Sequence, residues 1–212
     1  MSIYAKFCKV GFSADGSCAY VTLSFDGGGE ESLCLLSDRY AELVRGRTEF
    51  TREEYDALLF ESEYSRALLA GMRSLSCSPS TRKEICQKLR KKHFSDEVSS
   101  LAADYFCDNG YIKEKEQLLC EIKCCIKKKY GPLKIKSRLI SKGFPTRLIE
   151  KGMQKLDGYD FTANCRSLAL KKGLCDPFDP KERSAMYTYL SRNGYTSECI
   201  KSVLSVLYAD VY

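Results

Sequence analysis

Leu89-Arg90-Lys91-Lys92-His93-Phe94 is echoed by Leu139-Ile140-Ser141-Lys142-Gly143-Phe144 and again by Leu190-Ser191-Arg192-Asn193-Gly194-Tyr195. The leucines stand 50 and then 51 residues apart, and the aromatic residues keep the same two spacings. Ile85, Ile135 and Met186 each precede their leucine by four residues, so each pair shares one helix face. A second apolar stripe follows every aromatic: Val98, Ala103 and Phe106; Ile149, Met153 and Leu156; Ile200, Leu204 and Leu207. Three matches at two spacings mark an internal repeat, a stronger signal than any single motif.

Around these segments each unit reads as three helices. The first helices span roughly 65–75, 114–130 and 162–172. Proline stands at or near the start of each second helix, at Pro79, Pro132 and Pro180, where its missing N–H costs nothing. Thr81 with Glu84 forms a capping box that starts the first of these a turn later. Gly143 and Gly194 occupy the C-cap position that needs a left-handed backbone, and His93 takes the same place. That assigns the only histidine a structural role. Polar caps at Ser95, Thr146 and Thr196–Ser197 open the third helices.

The N-terminal part is different. Ala19, Val21, Leu23 and Phe25 alternate with Tyr20, Thr22 and Ser24, the period of a half-buried strand. Turn residues flank it at 13–17 and 26–29, and strands over 3–10 and 32–36 complete a three-stranded meander. Helices begin near Ser37, and Thr51 with Glu54 caps a helix that runs through Phe60. The fold class is therefore mainly α, with three tandem three-helix repeats behind a small β-meander. The boundaries fall at 1–63, 64–112, 113–159 and 160–212.

Charge and chemistry bound the function. Residues 1–63 hold 6 basic and 12 acidic side chains, whereas residues 113–159 hold 13 and 5. Between Glu121 and Glu150 no carboxylate occurs, while Lys123, Lys127, Lys128, Lys129, Lys134, Lys136, Arg138, Lys142 and Arg147 do. Nine cations without a counter-charge suit phosphates or an acidic protein surface. Part of the run, Lys127–Lys129, also sits where a helix C-terminus favours positive charge, so an ordinary solvated face remains the other reading. No base-reading motif accompanies the run, which limits it to backbone contacts. Gly27-Gly28-Gly29 lacks the Lys and Ser/Thr of a P-loop and reads as a hairpin turn. With one histidine, and no G-x-S-x-G, no catalytic residue is assigned and the chain is expected not to be an enzyme.

The twelve cysteines include no C-x-x-C pair; Cys120, Cys124 and Cys125 form the only tight cluster. They are read as reduced thiols acting as small apolar residues, with a metal or redox role for the cluster as the alternative. No metal and no cofactor are expected. No apolar run reaches membrane-spanning length and no leader is visible at the start, so a cytoplasmic protein is expected.

The segments Thr81-Arg82-Lys83-Glu84-Ile85 through Leu89, Asn109-Gly110-Tyr111-Ile112, and Tyr130-Gly131-Pro132-Leu133-Lys134-Ile135 through Leu139 with Lys142-Gly143-Phe144 resemble the RecX family, regulators of the RecA recombinase. Leu190 to Tyr195 resembles the family's last repeat, and the meander followed by Phe50-Thr51-Arg52-Glu53-Glu54 resembles its N-terminal extension. The resemblance implies an elongated, curved array of three-helix repeats. It implies a non-enzymatic protein, expected to be monomeric, that lodges in the groove of the RecA–DNA filament. There it modulates, and is expected to lower, ATP hydrolysis, strand exchange and co-protease activity. Its partners would be the RecA filament and single- or double-stranded DNA through backbone contacts, with no membrane. A stand-alone nucleic-acid-binding repeat protein is the alternative. One departure stands out: the acidic pair expected after the Gly-Tyr-Ile turn is here Lys113 and Glu114.

Overall fold

The structure is a computed structural model and describes residues 3–173 and 179–209. It divides into two compact units, residues 1–112 and 113–212. Cys175 lies outside the described residues.

The first unit opens with β1 (Ala5–Phe12), β2 (Cys18–Phe25) and β3 (Glu30–Leu36), followed by α1 (Ser37–Leu43), β4 (Glu49–Phe50) and α2 (Arg52–Cys77). The sheet is antiparallel in the order β3-β2-β1-β4. Val21 opposes Leu33 and Ala19 opposes Leu35, so the alternation places these side chains on one face. Val44, Phe50, Tyr55 and Leu58 close the same core. The sheet thus has four strands where the periodicity predicts three. Two residues, Glu49 and Phe50, are too few to show a period, yet they pair with Lys6 and Ala5.

Helix α2 corrects a second expectation. The capping box at Thr51 forms in both directions, Glu54 N–H to Thr51 Oγ1 at 3.3 Å and Thr51 N–H to Glu54 Oε2 at 2.8 Å. The helix then continues past Phe60, without a break, to Cys77. Neither glycine nor proline interrupts Glu61-Ser62-Glu63-Tyr64. Two of its serines serve the sheet: Ser62 Oγ accepts from the Cys34 amide (3.0 Å) and Ser65 Oγ from the Leu36 amide (3.1 Å). These bonds satisfy amides of an edge strand that would otherwise need water or another chain.

The C-terminal half of α2 packs with α3 (Arg82–Arg90) and α4 (Asp96–Asp108) around Ala67, Ile85, Leu89, Val98 and Phe106. The second unit holds α5 (Glu114–Lys127), α6 (Pro132–Ser141) and α7 (Thr146–Gln154), then α8 (Phe161–Lys172), α9 (Pro180–Arg192) and α10 (Ser197–Ala209). Leu118, Ile122, Ile135, Leu139 and Ile149 form one of its cores; Cys165, Met186, Leu190, Ile200 and Leu207 lie in the other. Helix α5 starts at Lys113 without a side-chain cap, and α7 is preceded by Pro145 rather than capped by Thr146. At the third position Thr196 Oγ1 accepts from the Cys199 amide.

The same turn joins α3 to α4, α6 to α7 and α9 to α10. The aromatic amide reaches back five residues to the leucine carbonyl, Phe94 to Leu89 (3.3 Å), Phe144 to Leu139 (3.2 Å) and Tyr195 to Leu190 (3.4 Å). His93, Gly143 and Gly194 between them have φ of 67°, 79° and 87°. This is a Schellman-type closure, which consumes helix-end carbonyls. Leu89, Leu139, Leu190, Phe144 and Tyr195 are buried; Phe94 is only half-buried, with the Arg66 guanidinium over its ring.

Within the second unit the α9–α10 turn is seated on the start of α6. Gly131 N–H donates to Asn193 O (2.8 Å) and Leu133 N–H to Gly194 O (3.1 Å). A methyl group on Gly131 would stand 2.3 Å from Gly194 O, and one on Gly194 would stand 2.3 Å from Lys134 N. Only glycine permits this approach at both places. The Tyr195 hydroxyl adds a bond to Lys129 O at 2.7 Å.

The eleven described cysteines are free thiols; Cys18, Cys86, Cys125 and Cys165 are buried and act as small apolar residues. Burial pushes the Cys165 thiol up to about 12, with the neighbouring Cys199 adding to the effect. Among the described residues no three His, Cys, Asp or Glu side chains are grouped to hold a metal, and no helix is long and apolar enough to cross a membrane.

Leu139 is fully buried whereas Leu133 on the same helix is 56% exposed. Leu139→Ala is expected to lower stability to urea by about 2–5 kcal/mol. Leu133→Ala is expected to stay within about 0.5 kcal/mol.

Candidate nucleic-acid interface

The basic stretch spans the end of α5, the whole of α6 and the start of α7. Leu118, Ile122 and Cys125 turn one face of α5 into the core, which leaves Lys123 and Lys127 on the outer face. The helix closes through Lys128, and Lys129 follows in the left-handed region with φ 56°. A lysine there is strained by about 1–2 kcal/mol. Two contacts hold it: its ammonium bonds to Ser167 Oγ, and its carbonyl accepts from the Tyr195 hydroxyl.

The nine cations are not equivalent. Arg138 and Lys142 converge on Glu121, whose carboxylate is 13% exposed, with Lys142 Nζ 2.7 Å from Oε2. The sequence reading left these two without a counter-charge. Glu121 supplies it from a helix away, because the Arg138 and Lys142 side chains of α6 reach across to α5. Lys134 is also engaged, its Nζ 3.1 Å from Asn193 Oδ1 and 4.1 Å from the centre of the Tyr130 ring. Lys123, Lys127, Lys128, Lys136 and Arg147 are exposed and form no ion pair among the described residues. These five can meet an anionic partner without breaking an existing bond.

One feature of this face was missed in the sequence. Leu133 and Ile140 are 56% and 55% exposed, and Lys136 lies between them on the same side of α6. They stand seven residues apart, two helical turns, opposite the buried Ile135 and Leu139. The sequence signal was present: α6 carries apolar residues on two faces, and only one can enter the core.

The other sequence candidates have ordinary places. Gly28 and Gly29, with φ of 82° and 109°, turn the hairpin between β2 and β3. His93 is exposed in its turn. Cys120 and Cys124 are exposed on α5 while Cys125 points into the core, so the cysteine cluster is split between two faces.

The chain is mainly helical, with a small antiparallel sheet and five exposed cations that form no ion pair among the described residues. No protein-family model matches the chain. It is 28% identical over 152 residues to the regulatory protein RecX of Chlorobaculum tepidum, covering 71% of this chain and 93% of that one. It is 27% identical to the RecX of Pseudomonas savastanoi, over 58% of this chain and 80% of the relative. Two solved structures share its fold: a crystal structure of a regulatory protein RecX, with TM-score 0.73, 15% identity and coverage of 94% and 98%, and RecX from Lactobacillus salivarius, with TM-score 0.58, 20% identity and coverage of 69% and 97%. The chain is thus similar to RecX regulatory proteins in sequence and shares the fold of two RecX structures.

Burial alone would raise the Glu121 carboxyl, but hydrogen bonds from Lys142 and Arg138 bring it below its ordinary value. A carboxyl depressed on folding stabilises the native state above its unfolded pKa, and that stabilisation is lost as pH falls through the lower folded value. The stability gap between the wild type and Glu121→Gln is therefore expected to be constant at neutral pH and to shrink below about pH 4.5. Denaturant titrations at several pH values measure it; a gap independent of pH would show that the carboxylate's charge is not what matters.

Proposed function

We propose that this protein regulates the RecA recombinase by lodging in the groove of the RecA–DNA filament, where it lowers ATP hydrolysis, strand exchange and co-protease activity. The observation that carries this reading is its similarity to RecX regulatory proteins along 93% of the length of one of them. In this reading α2–α4, α5–α7 and α8–α10 are three copies of one three-helix unit. The recurrence of one closure at Leu89–Phe94, Leu139–Phe144 and Leu190–Tyr195 supports it. A row of such units offers a long surface rather than a pocket, and several weak contacts along a filament add through effective concentration.

DNA contact in this reading belongs to Lys123, Lys127, Lys128, Lys136 and Arg147, with Arg138 and Lys142 set by Glu121 beside them. Leu133 and Ile140 supply apolar area for the protein side of the groove. The protein acts as a monomer in the cytoplasm and performs no chemistry of its own.

RecA assembled on single-stranded DNA should carry this protein into the pellet on sedimentation, and ATP hydrolysis should fall as it is titrated to near-stoichiometric ratios. If it stays in the supernatant and hydrolysis is unchanged at several-fold excess, the filament reading is wrong and stand-alone nucleic-acid binding takes its place.

For the free protein, about four phosphate contacts would give log K against log salt a slope of about −3 to −4. Charge reversal at Lys123, Lys127, Lys128 and Lys136 should weaken binding to all sequences alike, because phosphate contacts read no bases. A strong preference for one sequence would count against this face.

A further inference from the structure

Away from the basic stretch, an open groove of about 710 Å³ runs along α9 and past the end of α8. Its wall carries Lys172, Lys181, Ser184, Thr188, Tyr189 and Arg192. Lys181, Ser184, Thr188 and Arg192 follow one another at intervals of three or four, so they form one stripe on α9, opposite the buried Met186 and Leu190. Eleven residues of helix place the ends of that stripe about 16 Å apart. Among the described residues no carboxylate lines the groove, and Lys172, Lys181 and Arg192 have no ion pair there. The nearby Asp179 carboxylate is engaged with the Lys181 amide at 2.8 Å as the helix cap. Lys172 Nζ lies 5.5 Å from the centre of the Tyr189 ring, which gathers a cation and an aromatic ring in the same wall.

The geometry points to a second anion site, one that takes a single strand of nucleic acid. The spacing decides against a lone phosphate: an isolated anion meets one end of a stripe about 16 Å long and leaves the other cation unused. A flexible strand presents several phosphates in succession and engages both ends, with hydroxyl donors at Ser184 and Thr188 between them. Its bases can lie against Tyr189, since aromatic rings accept any base by stacking. A duplex keeps its bases paired and stacked, so it has no free base face to offer Tyr189. The site shares no residue with the stretch from Lys123 to Arg147, and it does not depend on the filament reading, because its ligand is the strand itself.

The test uses the full chain and a labelled oligothymidylate of about 12 nucleotides, within the length that single-strand sites commonly cover. Anisotropy titrations at several salt concentrations compare the wild type with the triple variant Lys172→Gln, Lys181→Gln, Arg192→Gln. A second triple variant, Lys127→Gln, Lys128→Gln, Lys136→Gln, serves as comparator, and a duplex of equal length and thymidine monophosphate complete the set. All six positions are exposed, and thermal melts check that each variant folds like the wild type. The groove variant should lose about tenfold in single-strand affinity at low salt and make the slope shallower by about 2, three contacts at about 0.7 each. Its duplex binding should stay within about twofold of the wild type, and the monophosphate should fail to displace the oligonucleotide at equal phosphate concentration. Unchanged single-strand binding in the groove variant overturns the proposal, as does an equal loss on single strand and duplex. Displacement by the monophosphate also overturns it, in favour of a one-phosphate site. Failure of the filament reading is seen separately, as unchanged RecA ATPase with oligonucleotide binding intact.

Discussion

A helix that ends inside a protein must find donors for its last carbonyls within the next few residues, and here that constraint is met the same way three times. Leu89, Leu139 and Leu190 each accept from an aromatic amide five residues on, which fixes a left-handed residue just before the aromatic. The turn sends the chain back along the helix it has just left and carries the aromatic side chain toward the core. Leucine and aromatic must then lie close together, and so must the stripes on either side of them. The five-residue step from leucine to aromatic, present three times, is the trace of that closure in the sequence. His93 shows its tolerance: a side chain is accepted at the left-handed position because His93 faces solvent.

Features that depend on a few residues close in sequence were legible. Both capping boxes form as their spacing implies, and Ala19, Val21, Leu23 and Phe25 lie along one strand as the alternation requires. Features that depend on a neighbour distant in sequence were not. The role of Ser62 and Ser65 shows only once the edge of β3 is placed beside them. Glu121 looks like the border of a basic run, yet it serves as that run's counter-ion once α5 and α6 are packed. The groove along α9 was invisible for the same reason: Lys172 and Arg192 are twenty residues apart and come together only when α8 and α9 are folded.

The same packing refines the electrostatic picture. A stretch of nine cations suggests a uniform field, but three of them are held by Glu121, Asn193 or the Tyr130 ring and a fourth by Ser167. Five remain uncommitted, and one of them, Lys136, lies between Leu133 and Ile140 on α6. In the proposed reading, a face of that composition would meet DNA and protein together.

The seating of the α9–α10 turn on α6 also governs how residues 113–212 are assembled. Proline at the first position of α6 has no amide to satisfy, and the amides on either side of it, at Gly131 and Leu133, are both taken by carbonyls more than sixty residues away, at Asn193 and Gly194. The start of one helix is thus completed only when the end of another has formed. Opening one would strand donors in the other, while the Tyr195 hydroxyl and the strained Lys129 would lose their contact at the same moment. Two neighbouring helix bundles joined in this way are expected to unfold together, partial opening of either being opposed by the other.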